Sequence, residues 1–492
     1  MTIPSWAKFR ELAGQGTLVP VYREILADLE TPVSAFLKLM GEGSAFLLES
    51  VEVSERWARY SILGFDPEIT VTVAEGTAVV ARAGSAPRRF PAKDPIEPVE
   101  KALRGEVVVP CEGLPPFYGG AVGFLSYDAV RAFETLPVRA RADRPVPDAL
   151  FLFPRTLLVF DNLTHRVQVL TLVRAGKGRD AERAYRAGAE RIEAVIEKLR
   201  RPVPPRESPR GGGRIDYTST LDEKAYCRKV RRIQKWIREG EILQAVLAQR
   251  LETTLRSDPF DVYRALRTIN PSPYMYYLDL QDLKIIGSSP EVLVRERDGK
   301  IEVRPIAGTR PRGADPAEEE RVARELLADE KERAEHVMLV DLGRNDVGRV
   351  AEFGSVATEE FQVLEKYSHV MHIVSHVSGR LREGLTSFDV LRACFPAGTV
   401  TGAPKIRAME LIEESEPVRR GVYGGAVGYF GYANHMDMCL AIRTIVVEGT
   451  RARIGAGAGI VADSVPEREY RETLSKADAL RKAIETAARG LE

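Results

Sequence analysis

Cysteine is scarce in this 492-residue sequence. Cys111, Cys227, Cys394 and Cys439 lie far apart and form no CxxC pair. That excludes a disulfide framework and reads as reduced thiols of an intracellular protein. An excess of charge of either sign is also missing: Lys plus Arg is 71 and Asp plus Glu is 71. The balance argues against a dedicated nucleic-acid binder, whose footprint is a basic excess. No uninterrupted apolar run approaches the roughly 20 residues of a membrane span; the best stretch, Leu150 to Phe160, is broken by Pro154 and Arg155. The N-terminus, Met1 to Arg10, lacks the apolar core of a signal peptide. The expected setting is cytoplasmic, with neither membrane nor nucleic acid as partner. What is present is ordinary for a folded chain, with 44% hydrophobic and 29% charged residues, which excludes global disorder.

Between Arg200 and Arg214, four prolines (Pro202, Pro204, Pro205 and Pro209) and then Gly211, Gly212 and Gly213 interrupt any regular element. We read residues 1–200 as one region, 201–216 as a linker and 217–492 as a second region. Asp180 to Arg200 carries helical spacing and closes the first. Leu221 to Glu239 opens the second as an amphipathic helix, with Gly240 a natural stop. An internal echo links the two: Tyr118-Gly-Gly-Ala-Val-Gly-Phe124 recurs as Tyr423-Gly-Gly-Ala-Val-Gly-Tyr429. Both copies read as strands at which backbones approach too closely for a side chain, and the repeat as two related β layers. Strand-like runs at Lys284–Gly287, Ile301–Arg304, His369–Val377, Ala441–Val446 and Arg453–Gly455 alternate with helical runs at Ala317–Leu342 and Lys405–Glu414. The fold class is therefore α+β, a sandwich-like two-layer β core with helices packed outside.

Glu332 and Glu335 share one helical face, and a second acidic cluster surrounds Glu472, four residues before Lys476. Each reads alone as a solvated charged face. Together, one carboxylate from each of two helices would suit a hard cation such as Mg²⁺. His336, His369, His372 and His376 invite a zinc site. The strand character of 369–376 puts His369 opposite His372 and His376, which is poor geometry for three ligands. A single histidine there remains open as an acid/base or charge-stabilising group. Gly455-Ala-Gly-Ala-Gly459 runs on as a strand and fails the dinucleotide pattern, although its N–H groups could meet a carboxylate. Ala397 to Lys405 resembles a phosphate loop only superficially; Pro404 there suits the first position of a helix. Arg443, in an otherwise apolar strand, needs a partner: a ligand carboxylate or a structural ion pair would serve equally.

Taken in order, Gly287-Ser-Ser-Pro-Glu291, Arg304-Pro-Ile-Ala-Gly-Thr-Arg310, Glu332 to Asp346, Tyr367 to His372, Gly402-Ala-Pro-Lys405 and Gly457 to Glu472 resemble the chorismate-utilising enzymes, in particular those that aminate chorismate to anthranilate. Leu47-Leu-Glu-Ser50 resembles the tryptophan-site motif of that family. The resemblance implies Mg²⁺ held by Glu335 and Glu472 on the ring carboxylate of chorismate. It implies N–H donors from Gly457, Ala458 and Gly459 with Lys476 alongside, Tyr423 and Arg443 on the enolpyruvyl carboxylate, and contacts from Gly308 and Thr309. Glu291 would be the general acid for the departing C4 hydroxyl, and His372 the histidine needed for pyruvate loss. Where isochorismate and salicylate synthases carry a water-activating lysine, this chain has Gln244. Where aminodeoxychorismate synthases often carry a nucleophilic lysine, it has Ala307. Both differences imply amination at C2.

The resemblance further implies feedback inhibition by L-tryptophan through Glu49, Ser50, Asn270, Pro273, Tyr274 and Met275. No cysteine sits in the setting of a glutaminase nucleophile, so glutamine-derived ammonia implies a separate glutamine amidotransferase subunit, in a heterotetramer. Two alternatives are carried: an aminodeoxychorismate synthase component I, and a non-catalytic tryptophan-sensing subunit.

Overall fold

The computed structural model describes residues 2–41, 43–50, 59–143, 146–206, 214–366 and 370–491, with the backbone alone at position 309. The segment 207–213 of the expected linker, positions 367–369 of the fourth motif, and with them His369, lie outside the described residues. Among the described residues no helix is long and apolar enough to cross a membrane.

Strand alternation explains the layers. In Ala149–Asp161, Leu157 and Val159 enter one apolar cluster while Leu158 and Phe160 enter another. Ile285 and Ile286 of Leu283–Ser289 divide in the same way. The cluster holding Leu157, Val159 and Ile285 is built from strand and loop residues and lies between the layers. The other faces are covered by helices. Ile192 and Ile196 of Arg179–Leu199 and Leu480 and Ile484 of Pro466–Arg489 pack on one side. Val340 and Val347 of Glu330–Gly348 pack on another. The expected two-layer α+β core is present, and its layers belong to one continuous antiparallel network.

The internal echo has a direct structural meaning. Its two copies, as Gly120–Leu125 and Ala426–Gly431, are not two β layers as expected but neighbours in one ladder, with Gly123 opposite Gly428. A Cβ on Gly123 would come within 1.9 Å of the Leu150 carbonyl oxygen, and one on Gly428 within 2.0 Å of that of Asp437. Only glycine fits at either position. The ladder joins residues from both sides of the linker, as does the pairing of Ala45–Glu49 with Tyr274–Leu280. The two regions thus share one hydrogen-bonded sheet.

Local chemistry sets the element ends. Asp222 accepts from the Ala225 N–H at 2.7 Å and starts Glu223–Arg238, which stops just before Gly240 at φ +80°. The helix expected over Ala317–Leu342 is two helices, Pro316–Ala328 and Glu330–Gly348. Asp329 divides them because its carboxylate caps the second through the N–H groups of Lys331 and Glu332. Pro404 precedes its helix as the N-cap residue. The strand expected over Ala441–Val446 is also divided, into Met436–Leu440 and Thr444–Glu448. Between them Ala441 bonds to Gly425, while the Arg443 carbonyl accepts from Ser288. The change of partners leaves Arg443 in the left-handed region at φ +50°. It is therefore a junction residue, not the strand residue that its apolar neighbours suggested.

Candidate active site

The site forms where a sheet runs out of partners. Thr444–Glu448 pairs with Arg451–Ile460 only as far as Ile454, so Gly455 to Ile460 is bonded to Gln244–Thr254 on one side and open on the other. The Gly457 carbonyl accepts from Lys476 Nζ at 3.0 Å and its N–H donates to the Tyr423 hydroxyl, so both of its polar groups face the open side. Strand alternation aims Gly459 the same way and turns Ala458 into the ladder opposite Leu247. Glycine is required on that edge. A Cβ at 455 would sit 2.3 Å from the Tyr423 ring, and one at 459 would sit 2.5 Å from Gln244 Nε2.

Two helices bring the carboxylates. On Glu330–Gly348, Glu335 accepts from Gln244 Nε2 at 3.0 Å. Burial raises the Glu335 pKa and the nearby Glu332 and Glu472 carboxylates raise it further, while Gln244 and Lys476 oppose them. On Pro466–Arg489, Glu472 pairs with Lys476 at 2.8 Å. A site where carboxylates converge, and where one of them, Glu335, resists ionisation, calls for added positive charge. No cluster of three or more metal-ligating side chains exists among the described residues. Two carboxylates nevertheless fit Mg²⁺, which keeps several waters and takes few protein ligands.

Opposite these groups lies Glu291, where burial pushes the carboxyl up to about 7. The Thr399 hydroxyl donates to its Oε1 at 2.7 Å and Lys476 acts on it through space, and both limit the rise. His372, on Val370–Arg380, meets the Gly308 carbonyl through Nδ1 at 3.1 Å. A carbonyl only accepts, so Nδ1 carries the proton and the neutral ring keeps its lone pair on Nε2. Burial lowers the His372 pKa, and Arg443 lowers it further. Gly308 turns at φ +68°, with Leu326 and a Glu332 oxygen where a side chain would go. Arg443 is half-buried with no ion pair among the described residues, and burial lowers its pKa against the opposing pull of Tyr423 and Glu472. Glu291, Glu335, His372, Tyr423, Arg443, Glu472, Lys476 and the glycine edge thus come together from seven separate segments.

A family model described as chorismate binding enzyme matches residues 45–482. The chain belongs to that family. Anthranilate synthase component 1 of Acetivibrio thermocellus is 44% identical over 496 residues, covering 99% of each chain. That of Thermus thermophilus is 48% identical over 476 residues, covering 96% of this chain and 99% of its own. Among solved structures, anthranilate synthase component I from Streptococcus pneumoniae matches with a TM-score of 0.76 at 36% identity, over 93% of this chain and 98% of its own. The isochorismate synthase MenF from Escherichia coli shares the fold, with a TM-score of 0.71 at 19% identity. The resemblance read from the motifs is borne out, and this chorismate-binding enzyme is a catalyst that converts chorismate.

In this member of the family a second cavity, of about 390 Å³, opens between the paired strands Tyr60–Ala74, Ala45–Glu49 and Tyr274–Leu280 on one side and Val292–Arg297, Met436–Leu440 and Ala426–Gly431 on the other. Glu49, Ser50, Pro273, Tyr274 and Met275 line it, with Phe117 and Ile62 among its apolar walls. Asn270 does not; it caps Pro259–Ile269 and donates through Nδ2 to Ser288 Oγ. Glu49, 4% exposed, is held by the Tyr263 hydroxyl and by Arg267, whose Nε lies at 3.0 Å. Asp437 is similarly held by Arg295 at 2.7 Å and by the Tyr274 hydroxyl at 2.8 Å.

Several of these groups escape sequence reasoning. Thr399 carries no signal beyond its place in the turn Ala397–Lys405, and its link to Glu291 spans 108 residues. Gln244 could be read as a missing lysine, but not as the group that orients Glu335. Arg267 and Tyr263 lie on one face of an ordinary amphipathic helix, and only the need of a buried carboxylate for partners would have pointed to them.

Proposed function

We propose that this chain is component I of an anthranilate synthase, converting chorismate and ammonia to anthranilate and pyruvate. The observation that carries the reading is the pairing of full-length similarity to anthranilate synthases with a buried acid, Glu291, whose pKa burial pushes up to about 7 within the charged cleft. Chorismate is a dicarboxylate. Arg443 and the Tyr423 hydroxyl would take one carboxylate, the glycine edge and Lys476 the other. Glu335 and Glu472 would hold Mg²⁺, which supplies orientation and charge neutralisation at that second carboxylate. With the ring so fixed, Glu291 gives its proton to the departing C4 hydroxyl as ammonia adds at C2. His372 then serves the loss of pyruvate, its neutral Nε2 facing charge and proton changes on the leaving group. Gln244 and Ala307 offer no amine at the two positions where relatives of other specificity carry lysine, which supports amination at C2.

Ammonia would come from a separate glutamine amidotransferase subunit in a heteromeric, cytoplasmic assembly. L-tryptophan would occupy the 390 Å³ cavity and inhibit by biasing the two regions that share its walls. The deciding experiment is anthranilate fluorescence from the purified chain with chorismate, Mg²⁺ and ammonium, with and without tryptophan. The expected signal requires Mg²⁺ and falls with tryptophan. Chorismate consumption without fluorescence would replace the reading by an aminodeoxychorismate synthase; no consumption would leave a tryptophan sensor.

A further inference from the structure

A third cavity, of about 270 Å³, lies in the first region, closed on one side by Tyr432 of the second, away from both sites. Its origin is a flaw in a ladder. Tyr60–Ala74 and Ala149–Asp161 pair with Pro67 opposite Pro154, and the register slips between Pro67 and Ile69. Proline cannot donate to a ladder and a bulge re-aims the side chains around it. Here Glu68 and Arg155 turn toward the helix Arg179–Leu199. That helix faces the gap with Ala184, Ala187 and Gly188, side chains too small to fill it. Leu18, Ile69, Phe153 and Leu172 complete an apolar wall.

The charges around this space do not cancel. Arg155 pairs with Glu68, and Arg174 pairs with Glu106 at 2.8 Å. Arg191, at the rim, makes no ion pair and no side-chain hydrogen bond among the described residues. Burial lowers the Arg191 pKa, with the nearby Arg155 guanidinium adding to it and Asp66 and Glu68 opposing it. Three lining guanidinium groups against two lining carboxylates leave one positive charge beside an apolar space. An unpaired guanidinium at such a place, that of Arg191, favours an anion whose body is itself apolar.

We propose that this cavity binds a small organic monocarboxylate of aromatic or branched aliphatic class, its carboxylate on Arg191 and Arg155 and its apolar body against Phe153, Leu172 and Ala187. The test uses crystals of the full chain soaked over a concentration series in 4-bromobenzoate, because bromine scattering locates the ligand independently of any other site. The expected result is a bromine peak among Phe153, Leu172 and Ala187. In Arg191→Gln crystals the half-saturating concentration should rise by about tenfold or more. Ala187→Phe, which fills the space from an exposed helix position, should abolish the peak while the melting temperature and anthranilate formation stay unchanged. Four outcomes would overturn the proposal: no bromine in this cavity, equal occupancy by neutral 4-bromobenzyl alcohol, an unchanged half-saturation in Arg191→Gln, or inorganic phosphate taking the arginines in preference.

Discussion

The catalytic cleft and the cavity bounded by Glu49 are both lined by charge, and they handle it in opposite ways. Around the cavity every carboxylate is matched within the protein: Glu49 with Arg267 and Tyr263, Asp437 with Arg295 and Tyr274. In the cleft Arg443 is unpaired among the described residues, Glu335 is pressed by like charges, and Glu291 is buried beyond easy ionisation. A cleft with unmatched charge is completed by ligands that carry charge, such as a dicarboxylate and a cation. A cavity whose carboxylates are already paired, with Arg297 on its wall meeting the Tyr429 hydroxyl, suits a small ligand that brings its own matched charges, and a zwitterionic amino acid meets that condition. The same residue types therefore indicate chemistry in one place and selective binding in the other.

The largest expected effect comes from removing the acid. Glu291→Gln should lower anthranilate formation by roughly 10²- to 10⁴-fold while chorismate KM changes little. It should also raise the melting temperature above pH 7. The folded-state pKa of Glu291 is raised, so its favourable contribution is complete below the unfolded value near 4.5 and is lost as pH climbs through about 7. Glutamine cannot ionise and escapes that loss. A variant that kept a tenth of the activity would remove Glu291 from the mechanism.

The next two changes set cleft against cavity directly. Arg443→Gln should raise chorismate KM by roughly ten- to a hundredfold, as loss of a charge-assisted contact predicts, with stability held, because no protein partner is abandoned. Glu49→Gln should leave chorismate KM unchanged, weaken tryptophan inhibition, and cost about 3 kcal/mol of stability, since Arg267 would lose its carboxylate. Denaturant titration of both variants beside steady-state kinetics decides the matter. If Arg443→Gln proved the less stable of the two, the contrast between matched and unmatched charge would fail.

Legibility in the sequence followed the range of the interactions. The β layers, most helices and the glycine edge were visible because periodicity and steric demand act within a few residues. The echo of Tyr118–Phe124 in Tyr423–Tyr429 even marked two strands that pair across 300 residues of chain, although nothing in the sequence said that they touch. The helix break at Asp329 was missed because a cap and a helix-face carboxylate look alike until the backbone is known. Arg443 was expected within a strand because apolar neighbours hide a change of hydrogen-bond partner. The charge networks were the least legible: Glu49 with Arg267 and Glu291 with Thr399 join residues whose separation only the folded chain removes.

The smallest effect isolates how the cleft tunes its acid. The Thr399 hydroxyl donates to Glu291, favouring the charged form and so restraining the rise that burial causes. Thr399→Val keeps the side-chain volume and removes the donor, so the Glu291 pKa should move above about 7. An acid is active while it holds its proton. With free-base ammonia held constant, the fall in kcat with rising pH should therefore shift upward in the variant. At neutral pH kcat should change by less than about tenfold, because the acid stays protonated and only its proton-donating strength declines. A downward shift would mean that the hydroxyl serves the neutral acid instead, adding to the rise that burial causes.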